Sequence, residues 1–463
     1  MLQRKIKIGI VPIKRSFLSL DNAIAQKQRI LDQLAQITPA EVEIRDINAM
    51  VTHGVLWDNY EDMKRVVDGM QAWRPDALFV PHCDFGTEEA VGRIGKALGV
   101  PVLLWGERDP APEAGKPRPT DTQCGLFASS KALQRHGVPF SYIVNSSLQS
   151  KSFTQGWQRF CAVASVVKAF RGLRILQVSL RPKAFQSVLF NEAELLSRFG
   201  IELVPVSSTR ITTDMERYMR ENPHQVDEIV AEFATRMDVG ETALESRRQL
   251  AALRMTLLDI VAEHECGAVA LECWSLFSAF MKFKPCVLVG DLSDLGIPVA
   301  CEADVLGAIT SAMLQAASLG RAPVFFADLT QRHPDNDNAE LLWHCGPFPY
   351  SLREEGAKAS LVCGMGNWKL RNGGVTIARF DAVQGEYRLF SGEGALIDGP
   401  ETTGTYGWLE VDDWNAWEEK IIMGPYIHHM SGAYGDYTRI LNEACKYLPG
   451  VTPDSMTRFG ASL

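Results

Sequence analysis

The stretch PVACEADVLGAITSAMLQAASLGRAPVFFADL, residues 298–329, carries two carboxylates in similar settings. Glu302 follows the apolar, β-prone run Ile297–Ala300, and Asp328 follows the run Val324–Ala327. A helix-like segment lies between them. In open α/β sheets ligands bind beyond the carboxyl ends of the strands, so both acids are expected at a site. Downstream, LLWHCGPFP places His344 before a Gly-Pro turn, and MGPYIHHMSGAYGD carries His428 and His429 in a glycine-framed loop. Two carboxylates with one or two imidazoles make a mixed oxygen and nitrogen donor set. Such a set suits Mn2+, Fe2+, Co2+ or Zn2+, and favours Mn2+ where carboxylate and water dominate, with Mg2+ a further hard cation of that kind.

Each of these residues also has a structural use. A carboxylate after a strand often caps a helix, and Glu302 or Asp304 is placed to be the N-cap of a helix over 305–314, Asp304 the more favoured of the two. The chain has no rigid ligand spacing of the HExxH or zinc-finger kind. Five further residues are candidates for substrate contact. Glu272 and Trp274, in ALECW, follow a strand and serve equally well as a cap and a core residue. Arg181, in SLRPKAF, follows another strand, and His82 and Asp84, in VPHCDFG, occupy the matching place near the N-terminus. Trp408, Trp414 and Trp417 read as core or interface, although aromatic faces suit sugar C–H surfaces.

The elements that must position these groups alternate between strand and helix. KIGIVPI, DALFVPH and VPVLLWG are strand-like runs, with helical spacing at 23–34 and 87–99 between them. This βαβ rhythm implies a parallel sheet with helices on both faces. It restarts at GLRILQVSL, continues through a helix at 187–199, GIELVPVS and a long polar helical region at 214–265, and returns to strand at GAVALECW. No GxGxxG follows the first strand of either half, so a dinucleotide-binding fold is unsupported. After about residue 346 short β-like runs split by glycines take over (GGVTIARF, GEYRLFSGEGALIDG, TYGWLEV), with a helix near 436–447. The expected fold class is α/β, with two doubly wound parallel-sheet domains, 1–168 and 169–322, followed by a β-rich domain, 323–463.

With 463 residues, 46% of them hydrophobic and 22% charged, the chain can build several cores. A formal net charge of −9 argues against nucleic acid or an acidic membrane as partner. The ten cysteines are scattered with no CxxC pair, which reads as reduced, buried small residues in a cytoplasmic protein. The start MLQRKIKIGIVPIKR does not look like a signal peptide, and no apolar run reaches the eighteen residues of a membrane span.

Taken in order, GIPVACEADVLGAITSAMLQ, VFFADL, LLWHCG and GPYIHH resemble the L-fucose isomerase and L-arabinose isomerase family. The resemblance extends to ALECW, RPKAFQSVLFNEAELLSRFGIELV and DALFVPHCDFGTEEAV and covers most of the chain. It implies a metal-dependent aldose–ketose isomerase of a free sugar, a pentose or 6-deoxyhexose, working as a homo-oligomer (trimer or hexamer). It also implies Mn2+ held by Glu302, Asp328 and His429, with His428 close behind and His344 matching a further ligand of the arabinose branch. The two carboxylates would be the acid/base pair. The fucose branch has Asn-His-Gly in the late loop where this chain has His428, His429 and Met430, and this chain is shorter in its C-terminal domain, which helps shape the sugar pocket. Two other readings compete: a member of the same family running an epimerisation or acting on a modified sugar, and a sugar-binding protein of the periplasmic type.

Overall fold

A computed structural model describes residues 5–240 and 242–456. The chain divides into two compact units, 2–168 and 169–463. In the first, β1 (Ile6–Ile10), β2 (Val42–Asp46), β3 (Ala77–His82), β4 (Val102–Gly106) and β5 (Phe140–Tyr142) form a parallel sheet in the order β2-β1-β3-β4-β5. β3 and β4 are buried along their whole length. They are continuous apolar runs rather than alternating ones because helices cover both faces of the sheet. Those helices are α1 (Leu20–Ile37), α2 (Tyr60–Trp73), α3 (Glu88–Leu98), α4 (Thr122–Arg135) and α5 (Lys151–Phe170), whose last two residues belong to the second unit.

The second unit opens with another parallel sheet: β6 (Arg174–Val178), β7 (Glu202–Val206), β8 (Ala268–Leu271) and β9 (Val299–Cys301), in the order β7-β6-β8-β9. Its helices are α6 (Glu192–Phe199), α7 (Ser208–Glu221), α8 (Pro223–Arg236), α9 (Leu244–Glu263), α10 (Cys286–Asp294) and α11 (Val305–Ala317). A π-helix spans Trp274–Met281. The remaining strands are β10 (Phe325–His333), β11 (Asn336–His344), β12 (Ser360–Val362), β13 (Met365–Lys369), β14 (Gly373–Val383), β15 (Glu386–Ile397), β16 (Thr405–Glu410), β17 (His429–Tyr434) and β18 (Val451–Met456). They form one nine-stranded sheet. Because β16 pairs with both β11 and β15, the strands β16-β11-β10-β17-β14-β15 close on themselves as a barrel. Closure removes sheet edges. The helices α12 (Trp414–Met423) and α13 (Thr438–Cys445) complete the unit.

All thirteen residues of α11 are buried. A helix buried all round must have neighbours on every side, and α11 packs on β8 and β9 of the parallel sheet and on β14 and β17 of the barrel. Its polar residues tie it to the barrel: the Ser311 and Ser431 hydroxyls are 2.8 Å apart, and the Phe380 N–H donates to the Thr310 hydroxyl at 2.9 Å. The turn that feeds this helix therefore sits where the two sheets meet.

Candidate metal centre

That turn carries Glu302. β9 ends at Cys301, the Ala303 N–H donates to the Leu271 carbonyl of β8, and the Asp304 N–H closes on Cys301. Both Glu302 and Ala303 lie in the left-handed region, at φ 53° and 55°. Each such non-glycine residue costs on the order of 1–3 kcal/mol, and the surrounding structure holds it there. Asp304 caps α11 as expected, its Oδ1 accepting from the Gly307 N–H at 2.9 Å.

Asp328 lies within β10, not beyond a strand end. The strand runs on antiparallel to its neighbours, so Asp328 faces Trp343 of β11 and His429 of β17 in register. His429 opens β17, where the sequence suggested a loop. The side chains of a cross-strand pair share a face, which brings the Asp328 carboxylate beside the His429 ring. His344 is the last residue of β11.

Four of the expected residues converge. His344 Nε2 is 3.6 Å from Glu302 Oε2 and 4.0 Å from Asp328 Oδ1. His429 Nε2 is 3.7 Å from the same Glu302 oxygen and 3.5 Å from the same Asp328 oxygen. Carboxylate and imidazole thus alternate around one small space. Glu302 Oε2, Asp328 Oδ1 and His344 Nε2 are buried there without a hydrogen-bond partner. Buried polar atoms are normally satisfied, and charged ones left unpaired are costly. The two carboxylate oxygens together with His429 Nε2, aimed at one point, fit a divalent cation with oxygen and nitrogen ligands.

The two imidazoles are held differently. His429 Nδ1 is 2.9 Å from Asp304 Oδ2, and since the carboxylate can only accept, His429 donates from Nδ1 and keeps its Nε2 lone pair toward Glu302 and Asp328. Asp304 is itself gripped by Arg379, which also donates to Asp381 Oδ2 at 2.8 Å. Asp304 and Arg379 are wholly buried, and each charge is paired. Burial raises the Asp304 carboxyl, but Arg379 and then His429 outweigh it and hold the acid well below the usual range. His344 Nδ1, by contrast, accepts the Cys345 N–H at 2.9 Å and lies 3.3 Å from the Cys345 thiol. A neutral His344 ring so held carries its proton on Nε2 and donates toward the carboxylates. Burial opposes charge on His344, yet Asp328, Cys345 and Glu302 together raise it well above an ordinary histidine. Burial also raises Glu302, but His344 and His429 bring the net shift below the ordinary value.

The other expected residues divide. His428 is exposed, with a ring nitrogen within 4.8 Å of an Asp328 carboxylate oxygen and a His429 ring nitrogen. Glu272 is fully buried and uses both oxygens to cap the π-helix, accepting from the N–H groups of Trp274, Ser275 and Leu276 at 2.7–3.1 Å and from the Ser275 hydroxyl. Trp274 is 47% exposed and reaches the centre through Phe185, whose ring lies 5.4 Å from Trp274 and stacks on His429 at 5.4 Å. Arg181 donates to the carbonyls of Pro182, Lys183 and Phe185, fixing the loop that carries this phenylalanine. His82 and Asp84 belong to the first unit. His82 is fully buried, 2.9 Å from the Ser129 hydroxyl, and burial lowers it to about 4. Asp84 Oδ1 accepts from the Arg15 and Gly86 N–H groups. Sequence reasoning did not mark Phe185, or Asp304 and Arg379 as supports of His429. The Asp304–His429 contact spans 125 residues, and no local pattern signals it.

Residues 9–171 match the model of the fucose/sulfoquinovose isomerase N-terminal domain. A sulfoquinovose isomerase from Priestia aryabhattai is 25% identical over 453 residues, covering 95% of this chain and 96% of that one. Another, from Alkalicoccus urumqiensis, is 25% identical over 339 residues, or 71% of this chain and 74% of that one. The first domain therefore matches the fucose/sulfoquinovose isomerase N-terminal domain family, and the chain is similar along most of its length to proteins named sulfoquinovose isomerase.

Proposed function

We propose that the chain is a Mn2+-dependent isomerase of a 6-deoxyhexose, a pentose or a 6-sulfo derivative of such a sugar, with Glu302, Asp328 and His429 as metal ligands and His344 facing the same point. The observation that carries this reading is the pair of buried, unpartnered carboxylate oxygens of Glu302 and Asp328 that share one space with His429 Nε2. The 6-sulfo alternative is supported by the relatives named sulfoquinovose isomerase. The protein acts as a cytoplasmic homo-oligomer, a trimer or hexamer, in this reading.

An aldose and its ketose differ by a proton moved between C2 and C1, and a C–H beside a carbonyl is a very weak acid. A bound divalent cation supplies Lewis-acid stabilisation of the negative charge that develops on the sugar oxygens. The carboxylates move the proton as general base and acid. Asp328 keeps 19% of its side chain open and Glu302 5%, so Asp328 is the acid that meets the sugar and Glu302 the one anchored beneath it, its Oε1 3.5 Å from the Cys273 thiol. His344 Nε2 faces both carboxylates, 3.6 Å from Glu302 and 4.0 Å from Asp328. Phe185 and Trp274 offer an apolar wall that excludes water and suits sugar C–H groups.

The test is ketose formation from L-fucose, D-arabinose, L-arabinose and sulfoquinovose, with Mn2+ added and with metal chelated, run in deuterated water. The expected result is metal-dependent turnover with deuterium carried into the product, lost by a factor of about 100 or more in Glu302→Gln and Asp328→Asn. Turnover that survives both substitutions, or product without deuterium at C1 or C2, would overturn the proton-transfer assignment. An epimer as product would move the reading to the epimerase alternative.

A further inference from the structure

Beside this centre lies a pair of thiols that the isomerase chemistry leaves unused. Cys286 Sγ and Cys345 Sγ are 3.3 Å apart although 59 residues separate them in sequence. Both are free cysteines, Cys286 buried and Cys345 half-buried. Their backbones are held from both sides. Cys286 is the first residue of α10, and the next N–H, of Val287, donates to the Gly364 carbonyl at 3.0 Å. Cys345 is followed by Gly346 at φ 112°, where a Cβ would lie 2.1 Å from the Gly366 nitrogen, so this turn admits little adjustment. The thiol of Cys345 thus stands between two partners: the Cys286 sulfur and, also at 3.3 Å, Nδ1 of His344.

We propose that Cys286 and Cys345 form a reversible peroxide-sensitive disulfide that disables the neighbouring centre by releasing His344. The inference rests on the reading of that centre given under Proposed function. Hydrogen peroxide is the oxidant. The half-buried Cys345 sulfur attacks one peroxide oxygen, the O–O bond breaks, and one water leaves with a sulfenic acid on Cys345. The Cys286 sulfur then attacks the Cys345 sulfur, an S–S bond replaces the S–O bond, and the hydroxyl departs as a second water with the Cys286 proton. Two thiols have lost two electrons and two protons, and one peroxide has become two waters. The sulfurs close from 3.3 Å to a bond of about 2.05 Å. The Cys345 sulfur then has no proton to share with His344 Nδ1, and it is drawn toward α10. His344 keeps only the backbone N–H as its Nδ1 partner, so its ring is no longer fixed toward Glu302 and Asp328. A dithiol reductant restores both thiols by exchange.

The experiment treats the full chain with hydrogen peroxide, blocks remaining thiols by alkylation and maps the peptides by mass spectrometry, with Mn2+ content and ketose formation read on the same samples. A cross-linked peptide joining Cys286 to Cys345, together with a roughly 10–100-fold loss of Mn2+ affinity or turnover that dithiothreitol reverses, is the expected result. Cys286→Ser is expected to keep untreated activity and Mn2+ binding and to lose the dithiothreitol-reversible part of the peroxide effect. The proposal is overturned if both thiols stay alkylatable after peroxide, if the reversible cross-link joins other cysteines, or if Cys286→Ser shows the same reversible loss. A cross-link that lowers Mn2+ binding in a protein that turns over none of the sugars supports the disulfide and removes only the isomerase assignment.

Discussion

Asp304 does two things with one carboxylate: Oδ1 caps α11 through the Gly307 N–H, and Oδ2 receives His429 and Arg379. The cap was readable from an acid ahead of an apolar helical run. The grip on His429 was not, because it depends on a residue 125 positions away. The same contact separates the two imidazoles. His429, donating from Nδ1 to an acid, presents a lone pair at Nε2, whereas His344, accepting at Nδ1 from Cys345, presents a proton. Mn2+ titration of the variants should therefore rank them: His429→Gln loses measurable binding, while His344→Gln keeps a detectable site. Equal losses would contradict the tautomer assignment. Asp304→Asn should weaken Mn2+ affinity by about 10–100-fold, as expected when an acid that orients a ligating histidine is removed. An unchanged affinity would show that packing alone holds the ring.

At the scale of elements, α11 is the part that joins the parallel sheet to the barrel and so aligns Glu302 with Asp328. Its anchoring does not require its apolar residues alone. Phe380, in the stretch of β14 beyond its pairing with β17, gives its N–H to Thr310 instead. Thr310→Val keeps the shape and removes the acceptor, leaving a buried N–H unsatisfied. It should destabilise the protein by about 1–3 kcal/mol with little change in turnover, measured by denaturant unfolding alongside the ketose assay. A change within error of zero would mean water replaces the hydroxyl. The strand β17 teaches a complementary lesson. Its glycine-rich sequence reads as a loop, yet Gly432 is inside the strand because an added Cβ would lie 2.1 Å from the Phe325 ring of β10. Glycine here marks close approach rather than a turn, and only the neighbouring strand reveals which.

Across the whole molecule, the two compact units should answer pH in opposite directions. His82 in the first unit stays neutral down to about 4 because burial opposes its charge, whereas the unfolded chain takes up a proton near the ordinary 6.5. Stability of that unit is therefore fully present above about 6.5 and falls by up to ~3 kcal/mol as pH drops toward 4. Glu340 in the second unit is pushed up to about 7 by burial, with Arg332 opposing and Glu418 adding to the rise. The folded chain then holds a proton that the unfolded chain releases near 4.5, so this unit loses stability as pH rises from about 4.5 to 7. Glu340→Gln should stabilise the protein by about 1–2 kcal/mol at pH 8 and by nothing measurable at pH 4.5. Unfolding midpoints of wild type and variant across that range check it, and a pH-independent difference would sink the assignment.

The sequence by itself determined the class of the fold and marked the candidate residues of the centre. Strand and helix patterning over GIVPI, LFVPH and VLLWG reports burial on both faces of a parallel sheet, which is a local property of side-chain polarity. Glu302, Asp328, His344 and His429 each have an ordinary structural use when taken alone, and it was their ordered occurrence, in the pattern that resembles the L-fucose and L-arabinose isomerase family, that singled them out. What only the tertiary structure decided was relation: that β16 closes the barrel, that Asp328 faces His429 across two antiparallel strands, that Arg181 and Glu272 spend their polar atoms on nearby backbone, and that Phe185 lies over the histidines. The physical reason is that distances between segments are set by the packing of the whole core, so a residue's chemical type is legible locally while its partners are not.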